Sequence, residues 1–426
     1  MGIRKFASGG SVLALVMASG AVSAQTTSIE DDDVIIVEGS RIGGELGLKN
    51  ESEVGGRLGL SLLETPGNVE LIDAQTIDLR GDFGAIEAVT RSTGITSAAT
   101  PGNGNTSLSS RGFSGHSSTV TMYDGTRLYV GAGTVTFPAD TWTLDRVEVL
   151  HGAASVIHGV GAIGAAINYV PMKPSFDGPS GRGHVSAGDN GFFRGAGGGN
   201  IVLSDTVAAR FDAAYTRDDG YIDRAEETRF VVAGSLLWQP SDDFSATFMV
   251  DYSDVEPAPY WGTPLINGSV AVNRRENYNV EDGVIEFKDF WPRLRLDWDI
   301  SPNVSLRSDT YYIDAERQWT NLESYEYNPG TDLVDRSFYL EIFHDQEQFG
   351  HRMDVRFDNQ LGDMMNRLSI GGEINRIEFT HTNNSPFSGT TSVPVNDFDP
   401  GQFINVAGTT LDYMTTNTLL AQLKYM

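Results

Sequence analysis

Cysteine is absent from the 426 residues, so no disulfide staples the chain, and an oxidising compartment is neither implied nor excluded. Basic residues are scarce: 30 Lys and Arg stand against 57 Asp and Glu, a net charge of −27. Nucleic acid is therefore not an expected partner, because phosphate binding is driven by neutralising cations. Past the N-terminus no run reaches the roughly 18 consecutive apolar residues that mark a spanning helix. If the protein crosses a membrane, a closed β-barrel must carry it, since hydrocarbon offers unpaired backbone groups no partner. Signatures of chemistry are missing too. The seven histidines, His151 and His158 among them, show no HExxH or comparable metal spacing and read as polar contacts. Acid pairs such as Asp218-Asp219 and Asp242-Asp243 fall in loops and turns, and no Ser-His-Asp arrangement can be assembled. Gly159-Val160-Gly161-Ala162-Ile163-Gly164 has the spacing of a dinucleotide fingerprint but no βαβ unit around it, and reads as tight turns. No metal, no cofactor and no catalytic residue is expected, and the chain is not expected to be an enzyme.

What is present begins with a short export signal. Residues 1–24 carry Arg4 and Lys5, then an apolar run from Val12 to Met17, then Val22-Ser23-Ala24, whose small side chains suit a signal peptidase. Residues 25–59 hold an acidic cluster from Glu30 to Asp33, the tetrapeptide Val34-Ile35-Ile36-Val37 and a stretch loosened by six glycines between Gly43 and Gly59. A lone β-branched strand on a flexible tether suits pairing with another protein's sheet edge; it could equally pair within its own domain. Residues 60–173 are mixed. Val69 to Ile72 reads as a strand, Asp73 as a helix N-cap, Ile86 and Val89 as one face of a short helix ending before Gly94, and Ser118 to Tyr123 and Arg146 to Leu150 as strands. The expectation is a compact α+β domain.

From 174 to 426 the period is two. Phe211, Ala213 and Tyr215 share a face against Arg210, Asp212 and Thr216; Leu294, Leu296 and Trp298 oppose Arg293, Arg295 and Asp297; Met353, Val355 and Phe357 oppose Arg352, Asp354 and Arg356. Such alternation also fits a soluble β-sandwich with one wet face. The connections decide. Short turns at Ser204-Asp205, Pro240 to Asp243, Ser301 to Asn303 and Leu361 to Met365 alternate with long polar loops at about 218–227, 254–283, 318–344 and 380–410. Outer-membrane barrels sort their loops in this way, short on the periplasmic side and long outside, and a sandwich has no reason to. Trp238, Tyr252, Trp298 and Tyr312 fall near strand ends, as interfacial girdles do. The fold class is thus mainly β, a transmembrane antiparallel β-barrel with an N-terminal α+β plug domain in its lumen. About ten strands are legible, whereas a barrel wide enough to hold such a plug needs about 22, so the sequence is expected to be the N-terminal part of a longer one.

Several stretches of the mixed domain, in series, resemble the plug of TonB-dependent outer-membrane receptors, particularly ferric-siderophore receptors. They are Glu64-Thr65-Pro66, the Ser110-Arg111-Gly112-Phe113 turn, Met122-Tyr123-Asp124-Gly125, Leu144 to Gly152 (LDRVEVLHG) and Gly161 to Val170 (GAIGAAINYV). His151-Gly152-Ala153 and Gly164-Ala165-Ala166 depart from the commoner family wording. The resemblance implies that Val34, Ile35, Ile36 and Val37 are a TonB box, pairing with the energising protein TonB in the periplasm, and that the pull rearranges the plug. It implies a ferric siderophore as ligand, with cobalamin, haem or an oligosaccharide as alternatives, and outer-membrane lipid around the wall. By motif position the ligand-binding candidates are Arg111 beside the first apical loop, Tyr129 in the second, Trp142 in the third, and Tyr260 and Trp261 in the barrel loop Pro259 to Leu265. Plug-to-wall contact is the alternative for Arg111 and Trp142, and an interfacial girdle for Tyr260 and Trp261. From another class, a passive channel or adhesin remains open.

Overall fold

The computed structural model describes residues 51–97, 107–114, 118–128, 136–153, 162–362, 364–404 and 414–423. The signal segment, Val34 to Val37, Tyr129 and His158 lie outside them. The N-terminal domain starts with strand β1 (Asn68–Asp73), helix α1 (Ala74–Arg80) and helix α2 (Ala85–Thr90). Asp73 ends the strand and starts the helix: its side chain accepts a hydrogen bond from the Thr76 amide at 2.7 Å, and Gly81, at φ 70°, closes α1 in the left-handed conformation. Strands β2 (Ile95–Ser97), β3 (Leu108–Ser110), β4 (Thr119–Tyr123), β5 (Thr126–Arg127), β6 (Leu144–His151) and β7 (Ala165–Pro171) follow. β1, β6, β7, β4 and β5 form one sheet in that order, with only β4 and β7 parallel. One face of the sheet buries Val147, Val149, Ile167 and Tyr169 under Ile77, Ala88 and Val89 of the helices, and the other buries Val120, Met122, Leu150 and Ala166 with Val54.

The wall consists of β8 (Ser180–Ala187), β9 (Phe193–Ser204), β10 (Val207–Asp218), β11 (Glu227–Ser241), β12 (Phe244–Glu256), β13 (Val284–Ser301), β14 (Val304–Asn328), β15 (Leu333–Leu361), β16 (Met364–Asn383), β17 (Thr390–Pro394) and β18 (Met414–Leu423). Consecutive neighbours pair antiparallel from β8 to β16, β18 continues on β16, and β17 adds to the far end of β15. The tight connections at 205–206, 242–243 and 302–303 share one rim, while 219–226, 257–283 and 384–404 occupy the other. One expectation is corrected. The segment 318–344, read as a long polar loop, is instead a ladder: Gln318 pairs with Phe343, and pairing runs on to Asn328 and Leu333, so β14 and β15 extend past the membrane as a hairpin. Its outward face is polar because it stands in water, while Leu322, Val334 and Tyr339 are buried against the long connections.

The two faces of the wall are inverted relative to a soluble protein. Phe211 is 57% exposed, Phe248 49%, Leu294 41% and Met353 45%, while their neighbours Asp212 and Arg295 are 2% and 4% exposed. Apolar side chains turned outward and charges turned inward would be costly in water; they are stable when hydrocarbon lies outside and a polar plug inside. The apolar band has an edge. On the same outward face, Phe290, Leu294 and Trp298 give way to Glu286 and Lys288, and Phe349 and Met353 give way to Asp345 and Glu347. Trp238 and Trp298 sit toward the tight-turn rim, Tyr252 and Tyr312 toward the other, the placement of aromatic girdles.

Candidate functional site

The plug is fastened inside the wall by ion pairs that its own motifs supply. At the β4–β5 turn Asp124 adopts φ 50° and Gly125 φ 77°. A side chain at Gly125 would overlap the Glu53 carboxylate, so the turn accepts only glycine. Asp124 reaches Lys173 at 2.9 Å, Arg295 at 3.1 Å and Arg293 at 3.3 Å, and its backbone carbonyl accepts from Arg295 at 2.9 Å. Arg352 donates to the Gly125 carbonyl at 2.5 Å, and the Gly125 amide donates to the Asn168 side chain at 2.8 Å. Burial pushes the Asp124 carboxyl upward, but Arg295, Lys173 and Arg293 outweigh it and hold the group well below its ordinary value. Beside it Tyr123 donates to Asp251 at 2.9 Å and lies against Trp291, Phe137 and the Arg293 guanidinium, 4.5 Å from its ring; burial, then the charge of Asp251, raises its pKa well above the usual tyrosine value.

Two further fastenings flank this one. Toward the outer half, Arg194 of β9 grips Asp140 with two hydrogen bonds of 2.7 and 2.8 Å, both side chains almost fully buried. Toward the tight-turn rim, the strap at residues 51–57 is held from both sides. Ser52 and the Val54 amide donate to Glu148 of β6 at 3.1 and 3.2 Å; Glu53 meets Arg307 at 2.6 Å and Arg57 meets Asp354 at 3.0 Å. Burial raises the Glu53 pKa, yet Arg295 and Arg307 bring the net shift downward. Between α2 with the 136–139 segment and the strands β10 to β13 lies a cavity of about 520 Å³, lined among others by Phe83, Glu87, Pro138, Arg229, Val255 and Phe287.

The sequence-derived candidates fall in different surroundings. Trp142 is buried in the seam: its indole donates to the Gly197 carbonyl at 3.1 Å, and the Arg182 guanidinium lies 4.1 Å from its ring. That is a plug-to-wall contact, the alternative weighed for it. Arg111 is exposed, at φ 52°, on the turn closed by the Ser110 and Phe113 pairing. Tyr260 and Trp261 stand in the long 257–283 connection, both half-buried. The Tyr260 hydroxyl is 2.6 Å from that of Thr263. Trp261 packs on Val255, Ile285, Phe287 and Trp319, which all face inward, so its ring is on the lumen side rather than in a lipid-facing girdle. Its buried indole N–H has no hydrogen-bond partner among the described residues. His151 is 3.0 Å from Glu70 across β6 and β1. No group of three or more histidines and acids gathers as a metal site among the described residues. Sequence reasoning singled out neither Asp124 nor Glu53 nor Asp140 as an anchor; the available signal was the row of arginines at 293, 295 and 352 on inward-facing positions, which requires acids opposite.

Comparison with known proteins agrees with this architecture. Residues 61–166 match the family model of the TonB-dependent receptor plug domain. The chain is 25% identical over 347 residues to a probable TonB-dependent siderophore receptor, PiuA, of Acinetobacter baumannii, covering 78% of this chain and 46% of that protein. It is 34% identical over 211 residues to the ferripyoverdine receptor of Pseudomonas aeruginosa, covering 47% of this chain and 25% of that one. Among solved structures, the P. aeruginosa receptor FpvA in complex with heterologous pyoverdines superposes with a TM-score of 0.75 at 20% identity, over 89% of this chain and 52% of that chain. The crystal structure of A. baumannii PiuA gives 0.69 at 19%, over 89% and 56%. The chain spans about half the length of these structures, and at most about half that of the two curated relatives. Residues 61–166 are thus a plug domain of the TonB-dependent receptor type, and the plug and wall together have the fold of the TonB-dependent receptors to which the chain is similar. Within that class its resemblance is to the siderophore receptors.

Proposed function

We propose that the protein is the plug-bearing part of a TonB-energised outer-membrane receptor that imports a ferric siderophore and performs no catalysis. The observation that carries the proposal is the plug sequence match at 61–166 in a domain fastened inside a charged wall by Asp124, Asp140, Glu53 and Arg57. The two deeply buried pairs, Asp124 with Arg295 and Asp140 with Arg194, cost about 3–5 kcal/mol each to break by loss of one partner. A plug so held is a shut gate, and opening it requires work from outside. TonB engagement at Val34, Ile35, Ile36 and Val37 is the source we assign. The pull reaches the strap at 51–57 first, because that is the described segment nearest the tether.

The proposed division is a signal peptide at 1–24, TonB box and linker at 25–59, plug at 60–173 and wall from 174, with the strap of the linker already seated on the plug. Ligand contact is assigned to Arg111, Tyr129, Tyr260 and Trp261. The exposed guanidinium of Arg111 suits an anionic chelate, and the unpaired Trp261 indole suits an acceptor-rich organic shell. Trp142 is assigned to holding the plug. The siderophore is favoured over cobalamin, haem or an oligosaccharide because the relatives' names specify siderophores.

Deleting Asp31 to Arg41 from the full-length receptor tests the reading. Uptake of the ferric chelate should stop while binding at the cell surface persists; a passive channel or adhesin would keep its conductance or its adhesion unchanged.

A further inference from the structure

Two histidines 37 residues apart meet on the inward face of the wall, outside the seam and outside the assigned ligand contacts. His344 of β15 and His381 of β16 are direct cross-strand partners, with Nε2 of His344 2.8 Å from Nδ1 of His381. His344 is buried, set edge-on to Trp319 and Phe379 with ring centroids 5.0 and 5.1 Å away, so its rotamer is fixed by packing. His381 is half-buried, which leaves the pair an accessible edge, and its Nε2 meets the Asn383 amide nitrogen. With that amide donating, the proton between the rings is assigned to His381 Nδ1. Arg317, the neighbouring cation on β14, is turned to Asp289 at 3.7 Å and Thr136 at 3.1 Å.

The spacing selects a chemistry. Two imidazole nitrogens about 2.0–2.1 Å from one metal are about 2.9 Å apart when they subtend a right angle, and about 3.3 Å apart at the tetrahedral angle. The observed 2.8 Å, now spanned by a hydrogen bond, is within about 0.1 Å of the right-angle value, so rotation of the half-buried His381 ring suffices to turn both nitrogens onto one metal. We propose that His344 and His381 form a cis-bidentate site for a borderline divalent transition metal, Cu2+ or Ni2+ in preference to Zn2+, whose remaining positions are filled by water. Tetragonal ions favour that angle and imidazole donors, whereas a hard ferric ion takes oxygen, so the site is distinct from the proposed cargo's own coordination. Binding is by lone pairs, without electron transfer. The proton on His381 Nδ1 moves to Nε2 of the same ring, which then donates to water in place of its contact with the Asn383 amide nitrogen, while the Asn383 oxygen stays on the Ser385 amide at 2.9 Å.

The test is a titration of purified, untagged full-length receptor in detergent with Cu2+, followed by electron paramagnetic resonance. The expected result is a tetragonal signal from one copper per receptor with hyperfine structure from two imidazole nitrogens. His344→Asn and His381→Asn should each weaken binding at least tenfold, the double variant no further, while His184→Asn leaves it unchanged. Retained heat-modifiable migration on gels shows that the variants are folded. A wild-type spectrum without two nitrogen donors, variants that keep wild-type affinity, or Zn2+ binding more tightly than Cu2+ would overturn the proposal.

Discussion

In the plug, Ile77, Val89, Val147 and Ile167 lie together in the interior, as in any water-soluble domain; in the wall, Phe211, Phe248, Leu294 and Met353 stand outside and Asp212, Arg293, Arg295 and Asp354 inside. The same hydrophobic effect governs both regions, but the plug's surroundings are polar and the wall's outer surroundings are hydrocarbon. The plug therefore needs a core of its own, while the wall strands at membrane depth pack inward on the plug and the wall forms clusters of its own beneath the long connections, as at Ile266, Tyr278, Val334 and Val393. The seam between them is where charge is buried, and there every anchor acid of the plug faces an arginine of the wall.

The comparison can be broken at four points, in falling order of expected effect. Ile167→Asp puts an unpaired charge at a fully buried plug position and should cost about 5 kcal/mol; limited proteolysis of the full-length receptor should show the plug digested and the wall resistant. Asp124→Ala leaves Lys173, Arg293 and Arg295 without their shared acid, at about 3–5 kcal/mol, read as plug release at lower urea. Acid probes the same contact: Asp124 lies below its ordinary 3.8, so its contribution is complete above that value and is lost only as pH falls through the lower native one. Plug release measured against pH should stay flat down to about pH 4 and move only below it, through this group. Leu294→Arg faces lipid and should cost about 2–4 kcal/mol in barrel folding into bilayers, leaving the plug's protease resistance intact. Asp73→Ala removes the α1 cap and should cost about 1 kcal/mol, seen as faster hydrogen exchange confined to the Thr76 amide and its neighbours.

Much of the wall is legible in the chain because its signal is local. The alternation at 209–216, 293–300 and 352–358 states which side chains share a face, and the tight turns at 205–206 and 302–303 state which strands pair. Asp73 is legible as a cap because capping is decided within three residues. Contacts that depend on register are not. Glu53 sits in a glycine-loosened stretch that reads as tether, and only the folded wall brings Arg307, 254 residues later, to its carboxylate. Trp142 reads as well as a ligand contact as it does as a seam residue, because an aromatic in a plug loop has the same local pattern in either role. The hairpin at 318–344 escaped because its buried face mixes polar and apolar side chains, Asn321 and Arg336 beside Trp319, Val334 and Tyr339, so no clean period of two marks it as strand, although Pro329-Gly330 does signal the turn at its tip. His344 and His381 become a pair only through the β15–β16 register.

The central claim is that the exposed apolar face of the wall meets hydrocarbon while the polar face meets the plug. Because this sequence has no cysteine of its own, single cysteines at Phe211, Phe248, Leu294 and Met353 can be spin-labelled in the full-length receptor in bilayers and compared with cysteines at Asp212, Thr247, Arg295 and Asp354. The account predicts that the first set relaxes with lipid-dissolved oxygen and is shielded from a water-soluble nickel chelate, and that the second set is shielded from oxygen. Equal oxygen access in the two sets, or access confined to the second, would contradict it.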